Sequence, residues 1–258
     1  MSALFSWINH VDTSGVTADS EELLLPASHL RDAVIQKLWR TSSATTAAFT
    51  SIFAATSVVD VLALSGATLG PADTIRHRLY NAADSLQYDS GVISCDVVSG
   101  YDFHAHVLPA SEATVKKWVC NIVATSRATE GYFDVGRAWA GEAWVPAIGV
   151  AYGWHDKWED TTDVSVGKYS GVTFVDTGAQ YRTLSFNINH MLDADRIEAM
   201  EMARYTGVRR QFLAIHDTTG DVERVGMIGR RTKMSEITQK AQAIPAVYDM
   251  SFTMKQDL

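Results

Sequence analysis

Two histidines separated by one residue, in Asp102-Phe103-His104-Ala105-His106, are the first side chains whose spacing suggests chemistry. On an extended strand both rings fall on one side, where two imidazoles and a carboxylate are a start on a zinc site. No third or fourth ligand stands nearby, so the segment reads as a solvated turn before Pro109, and no metal or other cofactor is expected. A second cluster, residues 152–160 (YGWHDKWED), interleaves aromatics with charges. Trp154, His155 and Trp158 there are candidates for stacking on a sugar ring or anchoring a protein interface, although the two tryptophans could equally pin a long loop. Glu142, Asp156, Glu159, Asp160 and Asp163 supply the carboxylates a glycosidase would need in opposed pairs, and the ordinary reading of such a run is a solvated acidic loop. No nucleotide-cradling Gly-rich loop, His-Glu-x-x-His helix or Gly-x-Ser-x-Gly elbow occurs, so no catalytic residue is assigned and the chain is read as non-enzymatic.

These side chains sit in a chain of 258 residues, 47% apolar and 20% charged, long enough for one large or two ordinary domains. A formal net charge of -8 argues against duplex nucleic acid as a partner, since such binders displace counterions with a basic surface. No apolar run reaches the length of a membrane helix, and the first ten residues lack the basic start and apolar core of a signal peptide. Cys95 and Cys120 are too few and too far apart for a disulfide framework or zinc knuckle, and are expected as buried free thiols.

The elements that must position these groups are mostly strands. Ile75, His77 and Leu79 alternate with Thr74, Arg76 and Arg78, as a half-buried strand does. Residues 58–64 (VVDVLAL) are almost continuously apolar, which suits a central strand covered on both faces. Trp118, Cys120 and Ile122 point opposite to Lys117 and Asn121. Later, residues 180–189 and 247–255 alternate cleanly and flank one helix. Asp193 is its expected cap, Gly207 its left-handed stop, and Ile197, Met200 and Ala203 its core-facing stripe. Strands are also expected at 211–215 and 224–228, giving a β-β-α-β-β-β order, and residues 150–167 read as a linker or long loop.

Two groups of motifs resemble a known family. Leu25-Pro26-Ala27-Ser28-His29-Leu30, Leu38-Trp39-Arg40-Thr41, the apolar strand at 58–64 and Ile75-Arg76-His77-Arg78-Leu79-Tyr80 resemble the opening of a discoidin-like (galactose-binding-like) β-sandwich. Thr41 departs from the serine usual there. Residues 132–142 (YFDVGRAWAGE) and Trp144-Val145-Pro146 resemble the closing strand of such sandwiches in bacteriophage and prophage tail proteins, which continue with a Tyr-Gly segment like Tyr152-Gly153. Gln211-Phe212-Leu213-Ala214-Ile215-His216-Asp217 and Met227-Ile228-Gly229 resemble the second half of those proteins. The resemblance implies that Trp39 is a core residue below ligand-facing loops and Arg40 a loop anchor. Arg76 and Arg78 are candidates to face a partner.

The expected architecture is therefore mainly β. An N-terminal arm (1–23) precedes a discoidin-like β-sandwich (24–148) and a smaller α+β module (149–258). The resemblance implies a structural protein of a phage tail tip or baseplate, made in the host cytoplasm and located in the virion. Its partners would be other tail proteins and a homo-oligomeric ring, with strands 180–189 and 247–255 as assembly edges. The basic clusters Arg209-Arg210 and Arg230-Arg231-Thr232-Lys233 could meet Glu21-Glu22 of a neighbouring copy, and Trp7 would be covered on assembly. The alternatives are a carbohydrate-binding module for a cell-surface glycan and, of another class, a glycan-degrading enzyme.

Overall fold

The computed structural model describes residues 2–42, 45–151, 153–166, 173–233, 236–241 and 247–257. In chain order the strands are β1 (Leu4–Ser6), β2 (Gly15–Ala18), β3 (Trp39–Arg40), β4 (Thr46–Ser65), β5 (Thr74–Tyr80), β6 (Leu86–Asp89), β7 (Ile93–Ser94), β8 (Phe103–Val123), β9 (Asp134–Val135) and β10 (Arg137–Gly141). They continue as β11 (His155–Asp160), β12 (Asp163–Val166), β13 (Thr173–Asp176) and β14 (Gln180–Met191). Helix α1 (Asp193–Thr206), β15 (Phe212–Ile215), the short α2 (Val222–Val225), β16 (Gly226–Arg231), β17 (Ile237–Ala241) and β18 (Val247–Gln256) follow. The chain is mainly β, and divides into two compact units: residues 1–149 with 211–228, and residues 150–210 with 229–257.

The first unit is organised by two long strands. β4 and β8 pair antiparallel, but their register slips between Ile52 and Val61, where Ala54, Ala55 and Thr56 are exposed. β8 carries Pro109 inside that irregular stretch, where the ladder does not need its missing N–H. Both strands therefore bend. His77 of β5 is ladder-paired with Cys120, yet its ring stacks on His104 and His106 from the far end of the same β8. β8 thus folds back over β5, and one bent sheet, ordered β10-β4-β8-β5-β6, supplies both layers of a sandwich.

The expected alternations explain its core. Ile75 and Leu79, with Trp118, Cys120 and Ile122, point into it with Phe49, Phe53 and Trp39. Trp39 and Trp118 meet Phe49 edge-on at 5.7 and 4.9 Å, a favoured aromatic geometry. Residues 58–64 are covered on both faces as their composition requires: Val59, Leu62 and Leu64 face this core, Val61 and Ala63 a second one. That second core is closed by β1 paired antiparallel with β15, through Leu4, Leu213 and Ile215. Residues 1–23, expected as an arm, thus contribute a buried strand, while Trp7 is half-buried.

In the second unit β14 lies between β11 and β18. The far edge of β18 is shared by residues 229–231 of β16 and by β17. Neither β14 nor β18 is therefore a free edge, which corrects their expected role as strand-adding assembly elements. Residues 150–167 are not merely a linker, because β11 and β12 form within them. Arg224 falls in α2, so the strand expected from 224 begins at Gly226. Helix α1 starts with Asp193 inside the first turn, bound to Arg196 at 2.8 Å rather than capping, and stops at Gly207 (φ 52°), whose N–H reaches Ala203 O. Its buried face is Asp195, Ala199, Met202 and Thr206, whereas Ile197 and Met200 are each 49% exposed, the reverse of the expected stripe. The second basic cluster is only partly solvated: Arg230 pairs with Asp257 at 3.2 Å and Arg231 is buried over Phe252, while Thr232 and Lys233 are exposed.

Candidate functional site

The histidines of the first candidate do share one side of β8, but that side is the sandwich interior. His77 Nε2 and His104 Nε2 lie 3.3 Å apart, and His104 Nδ1 is 2.8 Å from Cys95 O. His106 Nε2 meets the Tyr88 hydroxyl at 2.6 Å. Asp102 is exposed at a positive φ of 48° just before the strand, where its carboxylate accepts from Gly100 N. Among the described residues no group of three or more His, Cys, Asp or Glu side chains is arranged to hold a metal. The two cysteines are free and buried.

Trp154, His155 and Trp158 lie at the start of the second unit, on or beside β11, the edge strand of its sheet. Tyr152, which opens that run, falls outside the described residues. His155 is exposed, Trp158 is 46% exposed and Trp154 half-buried, and the odd spacing puts His155 and Trp158 on opposite faces of β11, so the sheet does not bring the three together on one surface. The carboxylates around them are already engaged. Asp156 pairs with the buried Arg182. Glu159 accepts from Lys157, Tyr181 and Thr183, and those bonds, Lys157 first, hold its pKa down to about 2. Asp160 is lowered too, by hydrogen bonds from Thr162 and Gln180. A glycosidase acid needs a raised pKa, the opposite of what Glu159 and Asp160 have.

Arg76 and Arg78 flank a shallow recess of about 260 Å3 beside Val92 and Asn121. Both side chains are committed: Arg76 to Asp89 through two bonds of 2.9 and 2.5 Å, Arg78 to Asn121 at 2.7 Å.

Arg40 sits differently, on the floor of a cleft of about 680 Å3 in the first unit. The short ladder β3–β9 sets Arg40 opposite Asp134, and the guanidinium grips that carboxylate bidentately at 2.7 and 2.8 Å. The planar group also lies 4.2 Å over the Tyr132 ring. Hydrogen bonding to Asp134 raises the guanidinium pKa further, so this charge is permanent. Beneath it Trp39 is fully buried and its indole N–H donates to Ser20 O at 3.0 Å, which fixes the strand that carries Arg40.

The walls of the cleft are two turns. Leu25 N donates to Glu22 O, while Arg40 N and Glu22 N bond to Leu25 O and Arg40 O, so a tight turn is clamped to β3. Its two central residues, Leu23 and Leu24, are 90% and 84% exposed. The opposite wall is Glu130, Gly131 (φ 75°) and Tyr132. The cleft is lined by apolar side chains, the Tyr132 ring, a rigid cation and two carboxylates, of which Glu130 lies 3.6 Å from Arg127. Arg40 was legible beforehand; Leu23, Leu24, Glu130 and Tyr132 were not singled out. The signal was an apolar run next to Glu21-Glu22 that fits no strand or helix period.

No family model matches this chain, and no curated protein matches it. Several solved structures are similar over about half of it. A fucose-binding module of Streptococcus pneumoniae is 12% identical, with 52% of this chain and 98% of that one covered at a TM-score of 0.41. The family 32 carbohydrate-binding module of Clostridium perfringens NanJ, solved with galactose, is 15% identical, with 54% and 99% covered at 0.40. Another Clostridium perfringens module, solved with GalNAc-β-1,3-galactose, is 11% identical, with 52% and 100% covered at 0.42.

Proposed function

We propose that the chain acts by binding rather than by catalysis, and that its first unit recognises a cell-surface glycan in the cleft around Arg40. One observation carries this reading: a charged, immobilised guanidinium at the base of a cleft whose rim exposes two adjacent leucines. A sugar presents hydroxyls on its edge and C–H groups on its faces. A planar guanidinium with five N–H donors, two of them spent on Asp134, suits vicinal hydroxyls. Leu23 and Leu24 suit the C–H faces, and Glu22 and Glu130 supply acceptors. Few convergent polar groups in an otherwise apolar recess is the usual anatomy of a small-ligand site. The test is a glycan array followed by calorimetric titration of any hit. Leu24→Ser, at an exposed position, and Arg40→Lys, which keeps charge but loses the fork, should each weaken binding at least about tenfold. Absence of any glycan bound by the wild type, or titrations unchanged in both variants, would remove the reading.

A second reading is that the chain assembles with copies of itself, the role of a phage tail tip or baseplate component that the sequence resemblance implies; its self-assembly part is supported by a different observation. The second unit exposes apolar side chains on both the β12–β13 ribbon and α1. Light scattering over a range of concentrations tests it, a strict monomer being the adverse result.

A further inference from the structure

β12 and β13 form a two-stranded sheet of their own. It continues the β11–β14 ladder, since Thr161 N and Oγ1 both donate to Ala179 O, at 3.2 and 3.0 Å, just past the Asp160–Gln180 pair. The register sorts its side chains. Val164 and Val175 are opposite one another, with Val166 on the same face; Asp163 and Asp176 are opposite one another on the other face, with Phe174. The three valines and Phe174 are 58–64% exposed. A two-stranded ribbon is marginal in water by itself, and one with apolar side chains on both faces gains stability only when covered. Like charges directly opposite across a ladder are destabilising, so Asp163 facing Asp176 calls for a cation that no ion pair among the described residues provides.

Helix α1 has the complementary surface. Its outward face shows Ile197, Met200 and, beyond the helix end, Val208, each 44–49% exposed. The same end carries exposed Arg209 and Arg210, the latter lying 4.2 Å over the Tyr205 ring, and Arg204, which is paired with Glu201. We propose that the acidic face of this ribbon in one copy docks on the apolar stripe and basic end of α1 in a second copy. Phe174 covers Ile197 and Met200. Asp163 and Asp176 lie on that same face, Asp176 two positions from Phe174 along β13, so they meet the arginines beyond the stripe. The two surfaces are different, so the contact is head-to-tail and repeats into a ring or filament. One ribbon on one helix is smaller than an interface that holds a stable dimer, so the contact is weak singly and is reinforced when the ring closes. This joint rests on the assembly reading above and not on the glycan cleft.

The experiment uses the full chain in sedimentation velocity and light scattering. Asp163→Arg with Asp176→Arg reverses the ribbon; Arg209→Glu with Arg210→Glu reverses the helix end. Each double variant should self-associate at least about tenfold more weakly than the wild type, because like charges then meet across the joint. An equimolar mixture of the two should recover wild-type association, since each variant's altered surface matches the other's. That recovery also shows that both variants are folded. If the wild type associates but neither variant weakens it, or the mixture fails to recover it, the joint is wrong while assembly stands. A wild type that stays monomeric overturns both. Weakening by the ribbon variant alone would instead indicate ribbon-to-ribbon pairing and overturn this geometry.

Discussion

Lowering the pH from 7 to 5 should destabilise the first unit through its buried histidines, and the size of the effect follows from how their protons are placed. The Trp118 indole N–H donates to His77 Nδ1 at 3.3 Å, so that nitrogen is an acceptor. His77 Nε2 then carries the proton and faces His104 Nε2, 3.3 Å away, which leaves His104 Nδ1 to donate to Cys95 O. Every nitrogen of the pair is used, Glu223 Oε1 lies 3.6 Å from His104 Nδ1, and His77 is held neutral. A further proton on His77 would turn its Nδ1 into a donor facing the indole donor, in a site with no solvent exposure. Burial, and then His104 and His106, accordingly hold His77 well below the ordinary imidazole range; burial and then His104 lower His106. The unfolded chain binds these protons below about pH 6.5 and the folded chain resists, so their stabilisation is complete above that pH and is lost as pH falls. One such group costs about 1.4 kcal/mol per pH unit, hence roughly 2 kcal/mol from His77 at pH 5, and about 3 with smaller shares from the half-buried His106 and His10, the latter also lowered by burial. For a unit of this size that is a fall in Tm of about 5–10 °C. Asp73 and Asp89 have depressed pKa values and act below about pH 4, outside the window. Asp12, raised by burial, acts in the opposite sense, and comparison with His77→Phe cancels it. Urea unfolding at pH 7 and pH 5, followed by tryptophan fluorescence, measures both proteins. His77→Phe should be about 1–3 kcal/mol weaker at pH 7, where the Trp118 N–H loses its acceptor, yet should lose clearly less on acidification. Equal pH dependence in the two proteins, or a wild type equally stable at both pH values, would refute the proton placement.

The other expectations outside the two binding proposals are simpler. Burial pushes the Cys95 thiol up to about 12 and raises Cys120 well above the ordinary thiol range, so neither should react with an aromatic disulfide reagent at pH 8 until urea unfolds the chain; prompt labelling of the native protein would contradict that burial. Asp73 accepts from Gly70 N, Ser126 N and Oγ, and Thr125 Oγ1, and those bonds outweigh burial to lower its pKa. Asp73→Asn should cost about 1–3 kcal/mol at pH 7 and flatten the loss of stability that the wild type shows as pH falls through the carboxylate range, read as urea midpoints at pH 7 and pH 3.

What the sequence disclosed depended on how local the cause was. The alternation of Ile75, His77 and Leu79, and the two-sided burial of residues 59–64, are set by single strands meeting a core, and period alone finds them. The bend of β4 and β8 is not visible that way. Its exposed Ala54, Ala55 and Thr56 interrupt the alternation, so one strand reads as two pieces. The pairing of Leu4–Ser6 with Phe212–Ile215 joins segments from opposite ends of the chain and leaves no local mark. The cleft was legible only at Arg40, because its other members are turn residues whose role is fixed by the clamp between residues 22–25 and β3.

Helix α1 shows why burial was assigned to the wrong face. Counting apolar residues selects Ile197 and Met200 for the core, but the helix buries Asp195 and Thr206 beside Ala199 and Met202. Thr206 can go inside because its hydroxyl returns to Met202 O at 2.7 Å, so no donor is stranded. Met202 is buried there while Met200, of equal size, is turned outward with Ile197, so residue type alone did not mark the buried face. The same inversion occurs at Leu23 and Leu24, and again at Val164, Val166 and Val175. Three apolar groups that a core-seeking reading would bury are held in solvent by hydrogen-bonded backbone: a clamped turn, a laddered ribbon and a regular helix. Rigid exposure of that kind limits the entropy lost when a partner covers it, which is the condition for a surface that binds.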